Sequence, residues 1–301
     1  MISLVLDHDR IDAAIVTDGG DFVSATSVDT PAGGYRDLLI AVRDLVAGLD
    51  APAAMPVAVA APAVIDGGHA RFSALEQLSE CDLRRDLQST LGREAHCFGF
   101  GDCLAAWQAR AIAPHQTVVA LWAGRSCHGG VWANGAVLKG AHGAVGNWAH
   151  LQLPSPVPHE LDGRPCWCGR GGCLETFLST TGLEDDYQRV TGEHRDAAEI
   201  ASTAAAGDIV AESVVQVYED RLGRATATMI SLFDPHLIIL GGAVPLAKRM
   251  CERLPRKWPG YVQIDRSRTQ LSATDAGAQA LLVGAADLAR ADPIAGVTAG
   301  G

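Results

Sequence analysis

Short apolar runs and stretches of helical spacing alternate along the chain. Residues 2–28 hold apolar runs of strand length, interrupted by Asp-Gly-Gly at 18–20, where glycine permits the positive φ of a hairpin turn. Apolar residues then recur at helical spacing over 35–49, and an apolar run at 55–65 predicts a buried strand that enters a proline turn. The pattern predicts that the chain opens with a β-meander, followed by a helix and a buried strand.

The second half of the chain repeats this order of strand, hairpin and helix. Residues 81–113, which precede the second half, have the pattern of helix, turn, strand and helix. Asp102 lies at the junction between that strand and the helix that follows it. A side chain at such a junction can face a cleft. The segments of the second half are two strands over 117–133, a hairpin turn at Asn134-Gly135, helical spacing over Asp196–Phe233, a buried strand at Leu237–Leu240 and an amphipathic helix over 275–291.

Length and composition favour a globular protein of two lobes. A chain of 301 residues exceeds the size at which a single core stops growing, and 48% hydrophobic with 20% charged residues is typical of folded domains. The net charge of −11 and the lack of a basic run longer than Arg84-Arg85 argue against nucleic-acid binding. No apolar stretch has the length of a bilayer span, and Asp7 follows too soon for a signal peptide, so we expect a cytoplasmic protein without a membrane partner.

Three of the eight cysteines lie close together in a glycine-rich stretch. Around Cys166, Cys168 and Cys173 the glycines let the backbone turn tightly enough to bring three sulfurs to one point. A tetrahedral zinc ion needs a fourth ligand, for which His150 and His159, 16 and 7 residues before Cys166, are the candidates. The alternative is three reduced thiols in a glycine turn. A closed four-ligand site would be structural rather than catalytic.

Five segments distributed over the chain match one known signature. They are APAVID at 61–66, GDCLAA at 101–106, GAHGAVGNWAH at 140–150, CWCGRGGCLETFLS at 166–179 and LFDPHLIILGGAV at 232–244. Together they resemble the ROK family (repressors, open reading frames and kinases), and the resemblance covers most of the chain. Enzymes of this family phosphorylate sugars with ATP. The resemblance therefore implies an ATP-dependent kinase that acts on a hydroxyl of a hexose or an N-acetylhexosamine.

The resemblance also implies a fold, a set of ligands and an assembly. The implied fold is α/β, two-lobed and actin/hexokinase-like (ribonuclease H-like), with a structural zinc loop, the cysteine loop, at residues 150–173. We expect an N-terminal lobe at 1–115, joined by a C-terminal helix near 286–301, and a C-terminal lobe at 116–285. The implied ligands are structural Zn²⁺, a sugar and, in an active enzyme, Mg²⁺ and ATP. The implied assembly is a homodimer.

The resemblance assigns sugar-side roles to five residues. Asp102 would be the general base that removes the proton from the attacking sugar hydroxyl, and its other interpretation is an N-cap of the following helix. His150, besides ligating zinc, and Glu175 would contact sugar hydroxyls. Gly101 and Asn147 occupy positions where the family usually has asparagine and an acidic residue. The pattern of hydroxyls that this chain prefers should therefore differ from the family's usual one.

The nucleotide side departs further from the family pattern. The loop after the first strand lacks the usual glycines, and the second glycine loop carries Arg125, Ser126 and His128 among its glycines. Side chains thus occupy space that backbone amides usually offer to phosphates. The nucleotide or phosphate contacts implied by the resemblance are Asp7, Arg10, Gly124, Arg125, Gly241 and Gly242.

Two functions from different classes fit this sequence. Retention of Asp7, Asp102, His150 and Glu175 favours a sugar kinase, whereas the altered phosphate loops favour a non-catalytic relative that binds a sugar or has a regulatory role. A repressor of the same family is not expected, because no helix-turn-helix precedes the first strand and the net charge is unfavourable. A zinc hydrolase is not expected either, because a site of three cysteines and one histidine is closed.

Overall fold

The computed structural model of the protein describes residues 1–264 and 267–292. The strands are β1 (Ile2–Leu6), β2 (Arg10–Val16), β3 (Phe22–Asp29), β4 (Val57–Ala61), β5 (Val64–Asp66), β6 (His69–Arg71), β7 (Ala95–Gly99), β8 (Val118–Ala123), β9 (Cys127–Ala133), β10 (Ala136–Val137), β11 (Leu237–Gly242) and β12 (Gln270–Ala273). The α-helices are α1 (Tyr35–Ala47), α2 (Leu83–Leu91), α3 (Phe100–Ala109), α4 (Glu175–Leu178), α5 (Thr180–Thr191), α6 (Ala197–Ala205), α7 (Ile209–Phe233), α8 (Ala247–Lys257) and α9 (Ala278–Ala291). Short 3-10 helices lie at Glu76–Leu78, Trp148–His150, Pro158–Glu160 and Trp258–Gly260.

The described residues form two compact units. The first contains residues 1–112, 136–145 and the described part of the segment that begins at Ala278, and the second contains residues 113–135 and 146–277. The chain first passes from one unit to the other after residue 112, close to the lobe boundary expected after residue 115. Residues 136–145 and 278–285, which we expected in the C-terminal lobe, belong to the first unit. Of the C-terminal helix predicted near 286–301, the part up to Ala291 belongs to α9, and 293–301 lie outside the described residues.

The sheet of the first unit has the strand order β3–β2–β1–β4–β7. β1 is antiparallel to β2 and parallel to β4, and β4 is parallel to β7. All residues of β1 are buried because helices cover both faces of the sheet. On one face Leu4 shares a core with Leu38 of α1, and on the other Ser3 Oγ donates a hydrogen bond to Leu282 O of α9 at 2.6 Å. The predicted β-meander and buried strand are confirmed.

Helices α3 and α9 pack closely against each other. Their contact requires a glycine at position 284, because a Cβ atom there would lie 1.9 Å from the carbonyl oxygen of Cys103. Cys103 follows Asp102 directly in α3. The close helix contact therefore fixes the turn of α3 that carries Asp102.

The strands of the second unit lie in the order β9–β8–β11–β12. β8 is antiparallel to β9 and parallel to β11, which is parallel to β12. Gly242 pairs with Ala123, so β8 and β11 end side by side. After β9 the chain turns at Asn134 and Gly135, with φ of 54° and 80°, which confirms the predicted hairpin turn.

The predicted helical stretch Asp196–Phe233 consists of two helices. Gly207, at φ 99°, follows α6, and Asp208 Oδ1 accepts a hydrogen bond from Ala211 N at 2.8 Å, which caps α7. Apolar spacing alone did not reveal this break. Within the described parts of the chain, no single helix is both long and apolar enough to cross a bilayer, although α6 and α7, bent by 113°, meet that test as a pair on length and composition alone.

Candidate functional site

Asp102 lies in the first turn of α3, directly after the buried strand β7. The N-cap of α3 is Gly99, whose backbone is extended at φ −75° and ψ 154°. Asp102 is the third helical residue and follows Gly101, which is buried. The interpretation of Asp102 as an N-cap is therefore wrong, because the chain enters the helix three residues earlier than that interpretation requires.

The Asp102 side chain lines a cavity of about 170 Å³ in the first unit. No residue that the structure describes donates a hydrogen bond to its carboxylate. The oxygens can therefore accept a proton or a hydrogen bond from a ligand. Burial raises the pKa of Asp102 to about 7, although the positive charge of Lys139 opposes this increase. The other charged or imidazole side chains that line the cavity are Asp66, Arg84, His96 and Asp292.

The turn between β1 and β2 holds Asp7 and Arg10. Asp7 Oδ1 accepts hydrogen bonds from the backbone N of His8 at 2.8 Å and from its Nδ1 at 3.0 Å. Arg10 Nη2 forms an ion pair with Asp12 Oδ1 at 2.9 Å. Both candidate phosphate-side residues thus have local partners, which partly offset their charges.

The three cysteines and His150 form one cluster in the second unit. One ligand atom from each residue lies within 4.8 Å of all the others. Cys168 Sγ is 3.7 Å from Cys173 Sγ, and Cys166 Sγ is 3.6 Å from His150 Nδ1. Tetrahedral zinc with ordinary bond lengths requires separations of about 3.8 Å between sulfurs and about 3.6 Å between sulfur and nitrogen. The donor set therefore fits zinc.

Backbone geometry in the cysteine loop produces this cluster. Cys166 N donates to Arg170 O at 2.8 Å, and Gly169 N donates to Cys166 O at 2.9 Å. Gly169 and Gly172, at φ 84° and 72°, supply the left-handed conformations that this tight reversal needs. Burial, with the charge of Arg170, lowers the pKa of His150, which favours the neutral imidazole that ligates metals.

Of the two candidate fourth ligands, His150 belongs to the cluster and His159 does not. His159 lies in the 3-10 helix Pro158–Glu160 and lines a separate polar pocket of the second unit. Asn147 is the N-cap of the 3-10 helix that ends at His150. The structure therefore places Asn147 and His150 on one short turn.

Glu175 connects the cysteine cluster with the start of β9. It is the first residue of α4 and only 5% exposed. Its Oε2 accepts a hydrogen bond from Cys127 N at 2.9 Å, and its Oε1 accepts one from Trp167 Nε1 at 3.3 Å. Trp167 in turn contacts His150 edge to face, with ring centroids 4.8 Å apart. These contacts hold the Glu175 carboxylate next to the metal-binding turn.

The predicted nucleotide-side glycines meet where β8 and β11 end. Gly242, which follows Gly241, has φ 86°, and a Cβ there would lie 2.6 Å from the carbonyl carbon and oxygen of Ala123. Gly124 O accepts a hydrogen bond from Thr180 N at 2.8 Å. Ligands of α/β proteins commonly bind at the carboxyl ends of parallel strands. The absence of a side chain at Gly242 lets the ends of β8 and β11 pack tightly against each other at this edge of the sheet.

Side chains follow Gly124 where the family pattern has glycines. Arg125 is exposed, and Ser126 is buried with its Oγ 2.7 Å from His128 Nε2. This contact holds two polar side chains at the start of β9. The altered second loop is therefore an ordered turn whose polar groups come partly from side chains.

We expect Gly242→Ala to destabilise the protein and to weaken binding of MgATP. Both the left-handed φ and the 2.6 Å approach to Ala123 oppose a side chain, at a cost of about 1–3 kcal/mol. Gly260→Ala is the control, because nothing lies within 4 Å of a Cβ at that position. Thermal unfolding and calorimetric titration with MgATP measure the two effects. Equal behaviour of the two variants would contradict the prediction.

Sequence reasoning did not identify the residues that surround Asp102 and Glu175. Lys139 directly precedes the segment 140–150, and Trp167 stands between two of the cysteines. Their positions within the motifs were the only available signal. Spatial proximity to the two carboxylates is visible only in the folded chain.

The fold matches those of solved sugar kinases. A ROK family glucokinase from Streptomyces griseus, in complex with glucose and AMPPNP, superposes with a TM-score of 0.83 at 24% identity, covering 97% of this chain and 99% of that one. A ROK hexokinase from Thermus thermophilus gives a TM-score of 0.77 at 27% identity, covering 98% and 99%. The protein therefore has the mixed α/β, actin/hexokinase-like fold that the sequence resemblance implied.

The family follows from the sequence comparison. The ROK family model matches residues 2–292, and the chain belongs to the ROK family. An N-acetyl-D-glucosamine kinase from Pectobacterium atrosepticum is 31% identical over 243 residues, which are 77% of this chain and 80% of that protein. The predicted family is confirmed.

Proposed function

We propose that the protein is an ATP-dependent sugar kinase that phosphorylates a hydroxyl of a hexose or an N-acetylhexosamine. The observation that carries the proposal is Asp102, a carboxylate with a pKa of about 7 that lines a small cavity and has no hydrogen-bond partner among the described residues. A base of this strength is suited to neutral pH. The names of the relatives, N-acetyl-D-glucosamine kinase and glucokinase, support the same reaction class.

In this proposal Asp102 accepts the proton of the sugar hydroxyl as that oxygen attacks the γ-phosphorus of ATP. Phosphoryl transfer depends mainly on the positioning of the reactants and on charge stabilisation, so one modest base is sufficient. Mg²⁺ bound with ATP would neutralise charge on the phosphates. The sugar-binding residues are Gly101, Asn147, His150 and Glu175, and the nucleotide and phosphate side is formed by Asp7, Arg10, Gly124, Arg125, Gly241 and Gly242.

We also propose that the cysteine cluster holds one structural Zn²⁺ through His150, Cys166, Cys168 and Cys173. Four protein ligands leave no open position, so the metal would order the loop and take no part in the transfer. Zinc binding requires three reduced cysteines and a neutral histidine. The need for reduced cysteines favours the reducing cytoplasm as the location. A homodimer is part of the proposal on family resemblance, and its mass in solution tests it.

The rate should depend on pH through Asp102. Because the ionised form is the base and its pKa is raised to about 7, we expect kcat/KM for the sugar to fall as pH decreases through about 7. A profile from about pH 5.5 to about pH 8.5, with metal content checked at each pH, measures this dependence. A flat profile over that range would assign the base to a different group.

A second candidate function is a sugar-binding relative without phosphoryl transfer. The pairing of Arg10 with Asp12 and of Ser126 with His128 favours it, because these side chains engage each other in loops that would contact phosphates. A thermal-shift screen of hexoses and N-acetylhexosamines, each with and without MgATP, separates the two candidates. Stabilisation by a sugar and further by MgATP supports the kinase, whereas stabilisation by the sugar alone supports the second candidate.

A further inference from the structure

Besides its metal-binding residues, the cysteine loop carries two buried charged side chains. Glu160 and Arg164, both between His150 and Cys166, are only 6% and 9% exposed. Burial of a charge is costly unless the charge is paired and hydrogen-bonded. The partners of these two side chains therefore determine where the loop can lie.

Glu160 binds two arginines of α7. Arg221 Nε donates to Glu160 Oε1 at 2.8 Å, and Arg224 donates to both carboxylate oxygens at 2.9 and 3.0 Å. Burial alone would raise the pKa of Glu160, but the hydrogen bonds from Arg224, Arg221 and the Val157 amide outweigh it and lower the pKa to about 2. Glu160 is thus ionised at neutral pH and joins the loop to α7.

Asp186 of α5 links Arg164, the second buried charge of the cysteine loop, to Arg221 of α7. It accepts hydrogen bonds from Arg164, with Nη1 at 3.3 Å from Oδ2, and from Nη1 of Arg221. Arg164 Nη1 also donates to the carbonyl oxygen of Thr176 in α4 at 3.0 Å. The ionic cluster, as we call this set, comprises Glu160, Arg164, Asp186, Arg221 and Arg224.

Two guanidinium groups of the ionic cluster lie over one aromatic ring of α4. The central carbons of Arg164 and Arg221 are 4.3 and 4.8 Å from the centroid of Phe177, which is fully buried. Phe177 lies two residues after Glu175 in the same single turn of helix. The ionic cluster therefore contacts the element that carries Glu175, on residues that the cysteine cluster does not use.

We propose that Arg164, held by Asp186, is a positioning residue that sets the place of the Glu175 carboxylate through Thr176 and Phe177. The expected change in sugar affinity rests on the proposed function, in which Glu175 contacts the substrate. Metal binding and the placement of Glu175 are then separable. Loss of Arg164 leaves all four cluster ligands in the chain but removes the hydrogen bond to Thr176 O and one of the two guanidinium contacts with Phe177.

Arg164→Met tests the proposal, because it removes the guanidinium and retains an unbranched stem. We expect the KM and the dissociation constant of the sugar to rise about tenfold while kcat at saturating sugar changes less than about twofold. Amide hydrogen exchange over residues 174–178 should accelerate in the same variant, and metal content should stay at the wild-type value. Arg164→Lys keeps the charge and should recover part of the affinity.

Arg249→Met is the matched control. Arg249 of α8 also pairs with carboxylates of α7, Glu212 and Glu219, and none of its hydrogen bonds or ion pairs among the described residues reaches the cysteine loop. Unchanged exchange at 174–178 in Arg164→Met, or equal effects of both methionine variants, overturns the proposal. If Arg164→Met does not fold, Arg164→Lys decides by the same readouts. If wild-type protein binds no sugar, the proposed function fails, and the exchange and metal data still decide this inference.

Discussion

Asp102→Asn should lower kcat by about 10²- to 10⁴-fold, the usual contribution of a general base. The amide keeps the size of the carboxylate but cannot accept the proton of the attacking hydroxyl. Sugar affinity should change little, because the variant preserves the shape of the cavity that Asp102 lines. A coupled assay at saturating sugar and ATP, together with a calorimetric sugar titration, measures both quantities.

The same variant should not lose stability at alkaline pH. The folded-state pKa of Asp102 is raised from 3.8 to about 7, so folding favours the protonated form and the ionised carboxylate opposes folding above pH 7. Asp102→Asn removes that penalty, and its melting temperature at about pH 8 should equal or exceed that of the wild type. Asp66→Asn, on the wall of the same cavity, is the control and should retain turnover. Unchanged turnover in Asp102→Asn would show that the base is a different group.

Cys168→Ser should remove the metal and a large part of the thermal stability together. Three remaining ligands cannot complete a tetrahedral site, and structural zinc contributes its binding free energy to folding. A loss of a few kcal/mol corresponds to a decrease in melting temperature of about 10 °C, at roughly 2–4 °C per kcal/mol for chains of this size class. Metal analysis of purified protein, expected at about one zinc per chain, accompanies the unfolding scan.

Cys251→Ser is the matched control for this experiment. Cys251 is a free, partly buried cysteine of α8 in the same unit, and it is not one of the cluster residues. It should retain the metal and a nearly wild-type melting temperature. A wild-type protein that contains no metal and is as stable as Cys168→Ser would remove the zinc assignment.

Local patterns predicted many elements of both units, but not α5, α8 or β12. The hairpin at Asn134 and Gly135 and the buried strands depend on residues adjacent in sequence, and their turn chemistry is visible there. The break at Gly207 was missed because alanine-rich helical spacing continues on both sides of it. The chain leaves α6 and starts α7 at the N-cap Asp208 within a few residues, so the apolar spacing does not change at the break.

The metal-binding turn was predicted only in part. The spacing of Cys166, Cys168 and Cys173 indicated three ligands within one loop, but both His150 and His159 fitted the fourth position. The choice follows from backbone pairing between distant residues, since Leu174 N donates to Leu151 O at 2.8 Å and brings the start of the loop beside its end. Sequence spacing does not specify such a pairing.

The surroundings of the two carboxylates could not be predicted. The ionic cluster pairs Glu160 with Arg221 across 61 residues, and Lys139 approaches Asp102 from a separate segment of the first unit. Each of these side chains alone has the appearance of an ordinary surface charge. Burial and pairing, which give them a role, arise only when the elements pack.

The most direct test is transfer of the γ-phosphate of ATP to a sugar by zinc-replete wild-type protein. N-acetylglucosamine and glucose are the first substrates, and Asp102→Asn is the comparison variant. Wild-type protein should form a sugar phosphate and one ADP per phosphorylated sugar, and the variant should form both about 10²- to 10⁴-fold more slowly. Sugar binding without any phosphate transfer, across hexoses and N-acetylhexosamines, would contradict the kinase and leave a sugar-binding member of the family.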